Sequence, residues 1–404
     1  MKIAVVGQGY VGLTLSLGAV SAGYRVVGLD SNQELVQDLL NYVTKVPNID
    51  QISLKKYVET QNYLPSSDYS LISGCEIIVI AVPTPLDGKR NPDLNYLETA
   101  VTNIAHFASD NTLIINESTS YPGTLRNFIK PLIQKISKFN FEYASAPERI
   151  DPANLKWQLN NTPRLVSGLT RAGTDKALDF YRSICSNVHE VSQPEVAEAA
   201  KLFENTFRQI NIALVNEFAV IAKAIGFSAH EAIAAASTKP FGFMPFYPSI
   251  GVGGHCIPVD PSYLSYSASK SGTSAKFIEL ANNTNLNMAR YVVQEINSEI
   301  KGGLDKKRIQ IAGISYKPEV SDMREAPALR LIQELKNQGA YVTWHDPVVK
   351  FYEKEKSSPL DPSVDVGIIV TPHQGIDYSP WKNGNLRVYD LSANSLNYGW
   401  PKFF

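Results

Sequence analysis

Cysteine is scarce in this chain of 404 residues: Cys75, Cys185 and Cys256 are the only three, lie far apart, and form no CxxC pair. An odd and scattered set argues against a disulfide framework or a structural zinc site, and it fits a reducing compartment. Long apolar runs are missing as well. No stretch reaches about 18 uninterrupted apolar residues, so no membrane span is expected. Excess charge of either sign is also absent, with 38 Lys and Arg against 39 Asp and Glu and a formal net charge of −1. That balance leaves no electrostatic footprint for nucleic acid or an anionic membrane. An anionic ligand must be met by local lysines, arginines and helix N-termini. Short-period repeats and low-complexity tracts do not occur.

The opening stretch MKIAVVGQGYVGLTLSLGAVSAG has a lysine, apolar residues and small residues, as a secretory signal would. However, Gly7, Gly9 and Gly12 interrupt the apolar run, and YRVVGLD behind it is a strand in its own right. A cytoplasmic location is therefore expected. Hydrophobic residues make up 44% of the chain and charged residues 19%, as in an ordinary globular protein of two or three domains.

Strand-like runs dominate the first 190 residues: KIAVVG, RVVGLD, EIIVIAVP, NTLIINEST and FEYASAP. Helical stretches follow the first four. Near-continuous Ile/Val runs separated by helices predict a parallel sheet buried on both faces, the doubly wound pattern. After Pro194 the chain runs without Gly or Pro until Gly226. A helix of about 30 residues would span roughly 45 Å, enough to bridge domains or form a dimer seam. Ser228 and Glu231 have the spacing of a capping box. The loop KPFGFMPFYPSIGVGGHCIPVDP comes next, then a long helical region from about 274 to 301. Strand–helix alternation returns from Lys307, in KRIQIAGI, APALRLIQELKNQG, AYVTWHDP, DVGIIVT and LRVYDLS. The expected fold is α/β: two Rossmann-like doubly wound domains, 1–193 and 301–404, joined by a helical central domain, 194–300, that contains the long helix.

Gly7-Gln8-Gly9-Tyr10-Val11-Gly12 sits between a strand and a helix, and Asp30, 18 residues beyond Gly12, ends the next strand. Such glycines allow a tight turn and close approach to a pyrophosphate at the helix N-terminus, and the terminal acid can bond a ribose 2′-hydroxyl. A turn of purely structural use is the alternative. No arginine follows Asp30 to meet a 2′-phosphate, so NAD is expected rather than NADP. Glu148 and Arg149 follow the last strand at its carboxyl end, where ligands bind in such folds, or else they form a loop salt bridge. Lys201, Asn205 and Arg208 fall on one face of the long helix, a functional row or a solvated polar stripe. Asp260 precedes Pro261, which also suits a helix start. Cys256 ends a glycine-rich turn, an unusual place for a structural cysteine. His255 beside it makes no metal pair, because adjacent side chains diverge and no further ligands are spaced to help.

Together the motifs GQGYVGL, AVPTP, ESTSYPGT, APERIDP, KLFENTFRQINIALVNE, FYPSIGVGGHCIPVDP and SYKPEVSDMREAPA run through essentially the whole chain. In this order they resemble the UDP-glucose/GDP-mannose dehydrogenases, NAD-dependent four-electron oxidases of nucleotide sugars that supply uronates for polysaccharides and other glycans. The resemblance implies that Cys256 attacks a C6 aldehyde and carries a thiohemiacetal and then a thioester. It implies that Lys201 and Asn205 stabilise charge on the C6 oxygen and that Asp260 orients or deprotonates water. Thr119 and Glu148 match positions lining the reaction centre, and Thr84, Thr119 and Arg324 match cofactor contacts. Glu148, Arg149, Lys201, Asn205, Arg208, Phe246, Tyr247, Gly253 and Lys317 match the substrate site. The partners it implies are a UDP-sugar, held by the C-terminal domain, and a second copy of the chain at the helical middle. Pro152 and Val259 stand where UDP-glucose enzymes usually carry glutamate and lysine. The forms APERIDP and FYPSIGVGGHCIPVDP look like the branch acting on UDP-N-acetylhexosamines, and PFYP tilts toward UDP-N-acetylglucosamine over UDP-N-acetylmannosamine. A two-electron hydroxyacid-type dehydrogenase would need neither the thiol nor a second nucleotide fold. A non-catalytic NAD-binding protein would have no need of Lys201, Cys256 and Asp260.

Overall fold

A computed structural model of the chain describes every residue except Asn48, Pro152, Ala153 and Ser395. Contact density divides it into two compact units, Met1–Glu204 with Ser262–Thr273, and Asn205–Pro261 with Ser274–Phe404.

The first unit is built on eight strands: β1 (Lys2–Val6), β2 (Arg25–Leu29), β3 (Tyr63–Ser66), β4 (Ile77–Ile80), β5 (Leu113–Asn116), β6 (Glu142–Ser145), β7 (Arg164–Gly168) and β8 (Val188–Glu190). They lie in the order β3-β2-β1-β4-β5-β6-β7-β8. The first six are parallel and β7 runs antiparallel to β6. This order is that of the dinucleotide-binding fold. Among the described residues the strands are connected by α1 (Tyr10–Ser21), α2 (Gln33–Leu40), α3 (Gln51–Glu59), α4 (Asn95–Phe107), α5 (Lys130–Ile136) and α6 (Arg171–Arg182). The Ile/Val runs are buried on both faces because alternate side chains meet different helices. Ile3, Val5, Ile77 and Val79 pack into one cluster, and Ala4, Val6, Ile78 and Ile80 into the other. Fully burying each Val or Ile side chain is worth about 1.5–3 kcal/mol, so the sheet anchors the unit. Five expected strands are β1, β2, β4, β5 and β6. Strands β3 and β8 lie at the two edges of the sheet and β7 next to β8, and none of the three is apparent from sequence; β3 contains Pro65.

The chain continues through α7 (Pro194–Ile225), one unbroken helix of 32 residues, and α8 (Ala229–Ala236), whose N-cap Ser228 accepts the Glu231 amide at 3.3 Å. Then come α9 (Asp260–Lys270) and α10 (Lys276–Glu299). The second sheet uses β9 (Arg308–Ala312), β10 (Tyr341–His345), β13 (Val366–Ile369) and β14 (Arg387–Asp390), all parallel in the order β10-β9-β13-β14, after a small ribbon of β11 (Phe351–Tyr352) and β12 (Glu355–Lys356). Ile309, Ile311 and Val366 pack against α10 and α11 (Pro327–Asn337) through Val292, Ile296, Leu331 and Leu335. The other face holds Ala312 and Ile369 against Trp381 of the short α12 (Ser379–Lys382). Among the described residues no helix is long and apolar enough to cross a membrane.

One buried ion pair braces the first unit. Arg164, at the start of β7, lies 3.3 Å from Glu117 at the end of β5, and both side chains are almost fully enclosed. Tyr181 donates to the same carboxylate oxygen at 2.5 Å, and Arg164 reaches the Ala146 carbonyl at 3.3 Å. Removing one member strands the other charge in a low-dielectric core. Arg164→Met should therefore lower unfolding free energy by about 3–5 kcal/mol in urea titration, with Glu117→Gln restoring part of it. A loss below about 1 kcal/mol would mean the pair contributes no more than a surface bridge.

Candidate active site

The glycine loop is shaped by close approach. Gly7 has φ +93, and a Cβ there would lie 2.4 Å from the Ala81 carbonyl oxygen, while one on Gly12 would lie 1.7 Å from that of Gly7. Nothing would obstruct a Cβ on Gly9, which stands at the N-cap of α1 with space before it. Tyr10 and Val11 form the first turn, half-buried, where an anion meets helix amides. Asp30 accepts the Gln8 amide at 2.7 Å and the Asn32 amide at 2.9 Å, so its carboxylate is fixed at the loop's edge. Gln8 is fully buried, donating to the Val5 carbonyl at 2.8 Å and accepting from Tyr63 at 2.7 Å and Ser16 at 3.1 Å. Only depth distinguishes this glutamine from a solvated one, so nothing in the sequence marks it. The loop therefore fits a dinucleotide: backbone open at Gly9, uncapped helix amides, and an oriented carboxylate with acceptor capacity to spare.

Other predicted residues sit at the carboxyl ends of the same sheet. Thr84 is buried, and its carbonyl accepts the Tyr263 hydroxyl at 3.0 Å. Thr119 lies in a turn beyond β5 held by its neighbours: Ser118 Oγ donates to the Val82 carbonyl at 2.9 Å, and Asn116 donates to the Ser118 carbonyl at 3.1 Å. Glu148 is buried and accepts the Ile150 amide. Arg149 pairs with Glu204 at 2.6 Å and donates to the Pro163 carbonyl at 2.8 Å, the salt-bridge role that its position left open. Pro152 lies outside the described residues.

Lys201 and Asn205 are both buried on α7, one turn apart, so they are not part of a solvated stripe, whereas Arg208 is exposed. Asn205 donates to the Asp260 carboxylate at 2.5 Å, and Asp260 is the first residue of α9. The Cys256 carbonyl accepts the Val259 and Asp260 amides at 3.1 and 2.8 Å, so the chain turns directly from the thiol into that helix. Gly254, at φ +87, lies flat against Tyr316, and Gly253 packs between Tyr316 and Pro327. Buried Asn216 anchors the front of this loop, accepting the Ser249 amide at 2.8 Å and donating to Asn285 at 2.9 Å. Within the second unit Gly253, Cys256 and Asp260 thus share one braced segment, which Asp260 ties to Asn205 of α7. Phe246 meets Phe207 with ring centres 6.0 Å apart, and Tyr247 stacks on His230 at 5.5 Å. Lys317 is half-buried, its carbonyl accepting the Ser315 hydroxyl at 2.9 Å.

Of the three cysteines, Cys75 and Cys185 are buried and Cys256 is partly open to solvent. Burial pushes the Cys75 thiol up to about 11 and the Cys185 thiol up as well. Arg324 stands by the Cys256 loop, its carbonyl accepting the Gly254 amide at 3.0 Å. Hydrogen bonding to Asp322, at 2.6 Å, raises the guanidinium above its ordinary value, and the charge of Cys256 adds to that effect. A permanent cation is thereby held near Cys256, the cysteine of the three that is partly open to solvent.

Three profiles of the UDP-glucose/GDP-mannose dehydrogenase family match in sequence: the NAD binding domain over residues 1–185, the central domain over 195–287 and the UDP binding domain over 310–392. The chain belongs to this family. It is an NAD-dependent nucleotide-sugar dehydrogenase. Protein CapL of Staphylococcus aureus is 34% identical over 92% of this chain and 90% of its own. UDP-N-acetyl-D-glucosamine 6-dehydrogenase of Pseudomonas aeruginosa is 34% identical over 86% of this chain and 83% of its own. The structure of the UDP-N-acetylmannosamine dehydrogenase of Pyrococcus horikoshii superposes with TM-score 0.87 at 30% identity, covering 100% of this chain and 97% of that one.

A carboxylate at Asp30 repels a 2′-phosphate, and Ser31 and Asn32 after it supply no cation. The catalytic efficiency with NAD should exceed that with NADP by at least about tenfold, near 1.4 kcal/mol, in initial-rate assays. Equal efficiencies would contradict this placement of Asp30.

Proposed function

We propose that this dehydrogenase oxidises the C6 alcohol of UDP-N-acetylglucosamine to the uronate in two successive steps through Cys256. The observation that carries it is the partly exposed Cys256 on a braced glycine turn, with the Arg324 cation near it and Asp260 one turn away. NAD, when bound, takes up one hydride from the substrate in each oxidation. Lys201 and Asn205 offer N–H donors where charge develops on the C6 oxygen. The Cys256 thiolate adds to the aldehyde carbon and gives a thiohemiacetal. Loss of the second hydride leaves an acyl thioester. Asp260, held by Asn205, takes a proton from water as it attacks the thioester, and the carboxylate leaves with the thiol regenerated. Thr119 and Glu148 line the reaction centre in this scheme, and Lys317, Phe246, Tyr247 and Gly253 hold the UDP-sugar. The domains divide at 1–193, 194–300 and 301–404.

Two features support a homodimer. Phe203, Phe207, Leu214, Ile221 and Ile225 are exposed along α7 at heptad-like spacing, and Phe277 and Leu280 are exposed on α10. A stripe of that kind is costly in water and suits a second copy of the chain. The odd, scattered set of three cysteines fits a cytoplasmic setting.

The acetamido preference is supported by Val259, which is 5% exposed where UDP-glucose enzymes usually carry lysine. Relatives in Pseudomonas aeruginosa and Salmonella typhi are UDP-N-acetyl-D-glucosamine 6-dehydrogenases. UDP-N-acetylmannosamine is the second reading, favoured by the archaeal relatives that are named for it and by the Pyrococcus horikoshii structure. Burying an N-acetyl methyl is worth about 1 kcal/mol, and stranding a polar group against an apolar wall costs more. In NADH-formation assays across a panel of UDP-sugars, UDP-N-acetylglucosamine should exceed UDP-glucose in kcat/KM by at least roughly tenfold. Equal or better turnover of UDP-glucose would defeat the acetamido assignment, and a preference for UDP-N-acetylmannosamine would overturn the epimer.

A further inference from the structure

Glu198 lies on α7, three residues before Lys201, and is 1% exposed. A carboxyl so enclosed needs donors, and it finds them on another element. Its Oε2 accepts the Gly123 amide at 2.6 Å and its Oε1 the Leu125 amide at 3.1 Å. These amides open a helical segment that begins with a π-helical turn, Leu125–Ile129, and continues into α5. Amides at a helix start have no partner within the helix and carry partial positive charge, so a carboxylate suits them. Alongside, Arg126 of the same segment pairs with Glu195 of α7 at 2.6 Å. The chain from Tyr121 to Thr124 is a tight turn, with Thr124 bonding the Tyr121 carbonyl through its amide at 3.0 Å and its hydroxyl at 2.6 Å, and Ser120, next to Thr119, accepts from Asn116 at 3.2 Å. A shift at Gly123 is therefore passed back toward Thr119.

We infer that Glu198 is a positioning residue: its buried carboxylate holds the Thr119–Leu125 turn against the helical turn that carries Lys201, keeping two reaction-centre side chains in register. The inference rests on the roles given above to Thr119 and Lys201. It does not make Glu198 a catalytic group, since its oxygens are engaged by backbone amides.

The tie is sensitive to pH. Burial, opposed by the two amide hydrogen bonds, pushes the Glu198 carboxyl up to about 8; the charge of Glu195 adds to the rise and that of Arg126 counters it. Tyr121 also faces it, its phenol pushed up by burial, by Tyr266 and by Glu198 itself. An ionised acceptor forms the stronger hydrogen bonds, so the turn is gripped more firmly as pH rises through about 8.

The test compares wild type with Glu198→Gln from about pH 6 to 9.5, following kcat, KM and NADH binding by fluorescence. The wild-type kcat profile should contain an ionisation near 8 that the glutamine variant lacks. Above it the variant's kcat should be lower by about tenfold, with KM for the UDP-sugar within roughly twofold and NADH bound about fivefold more weakly. Superimposable profiles, even with a lowered melting temperature, would make Glu198 a structural brace and overturn the inference. If neither protein oxidises any UDP-sugar, the proposed function fails on its own account. The NADH titration still decides: the same pH dependence of binding in both proteins overturns the positioning role.

Discussion

Parallel strands stop their ladders at their carboxyl ends, and the backbone beyond those ends must find other partners or stay in water. This constraint organises the molecule. At the end of β1, Gln8 and Asp30 take over, binding the Val5 carbonyl and the Gln8 amide. At the end of β5, Asn116 and Ser118 secure the turn that carries Thr119. In the second sheet Asp346 does the same beyond β10, accepting the Ile314 and Val349 amides at 2.8 and 2.9 Å. The edge where ligands bind in this fold is therefore lined by loops whose shape is set by buried side chains.

The segment that carries Cys256 follows a related logic without a strand beneath it. Gly253 and Gly254 bring the backbone onto Tyr316, Asn216 holds the entry, and the Cys256 carbonyl is taken up by the start of α9. Cys256, carried on this segment, is partly open to solvent. The other two cysteines sit inside the first unit's core, where burial favours the neutral thiol.

Much of this was legible in sequence because it is local or periodic. The glycine loop, the Ile/Val-rich strands, the unbroken α7 and the glycine-loop setting of Cys256 each announce themselves within about ten to thirty residues. The pairings were not legible. Arg164 and Glu117 are far apart in the chain and carry no spacing signal, and Glu198 looks like any helix glutamate until its 1% exposure is known. Arg149 follows Glu148 in a motif, yet its partner Glu204 is on α7. Short edge strands such as β3 and β8 were missed because their few residues hold little apolar pattern.

The central claim is that one thiol, Cys256, holds the aldehyde so that a second hydride can leave it. The most direct measurement is the number of NADH molecules formed for each UDP-sugar consumed, in wild type and in Cys256→Ser. The account predicts two in the wild type, and in the serine variant no carboxylate product and at most one NADH. One NADH per sugar in the wild type, or two in the variant at an undiminished rate, would contradict it.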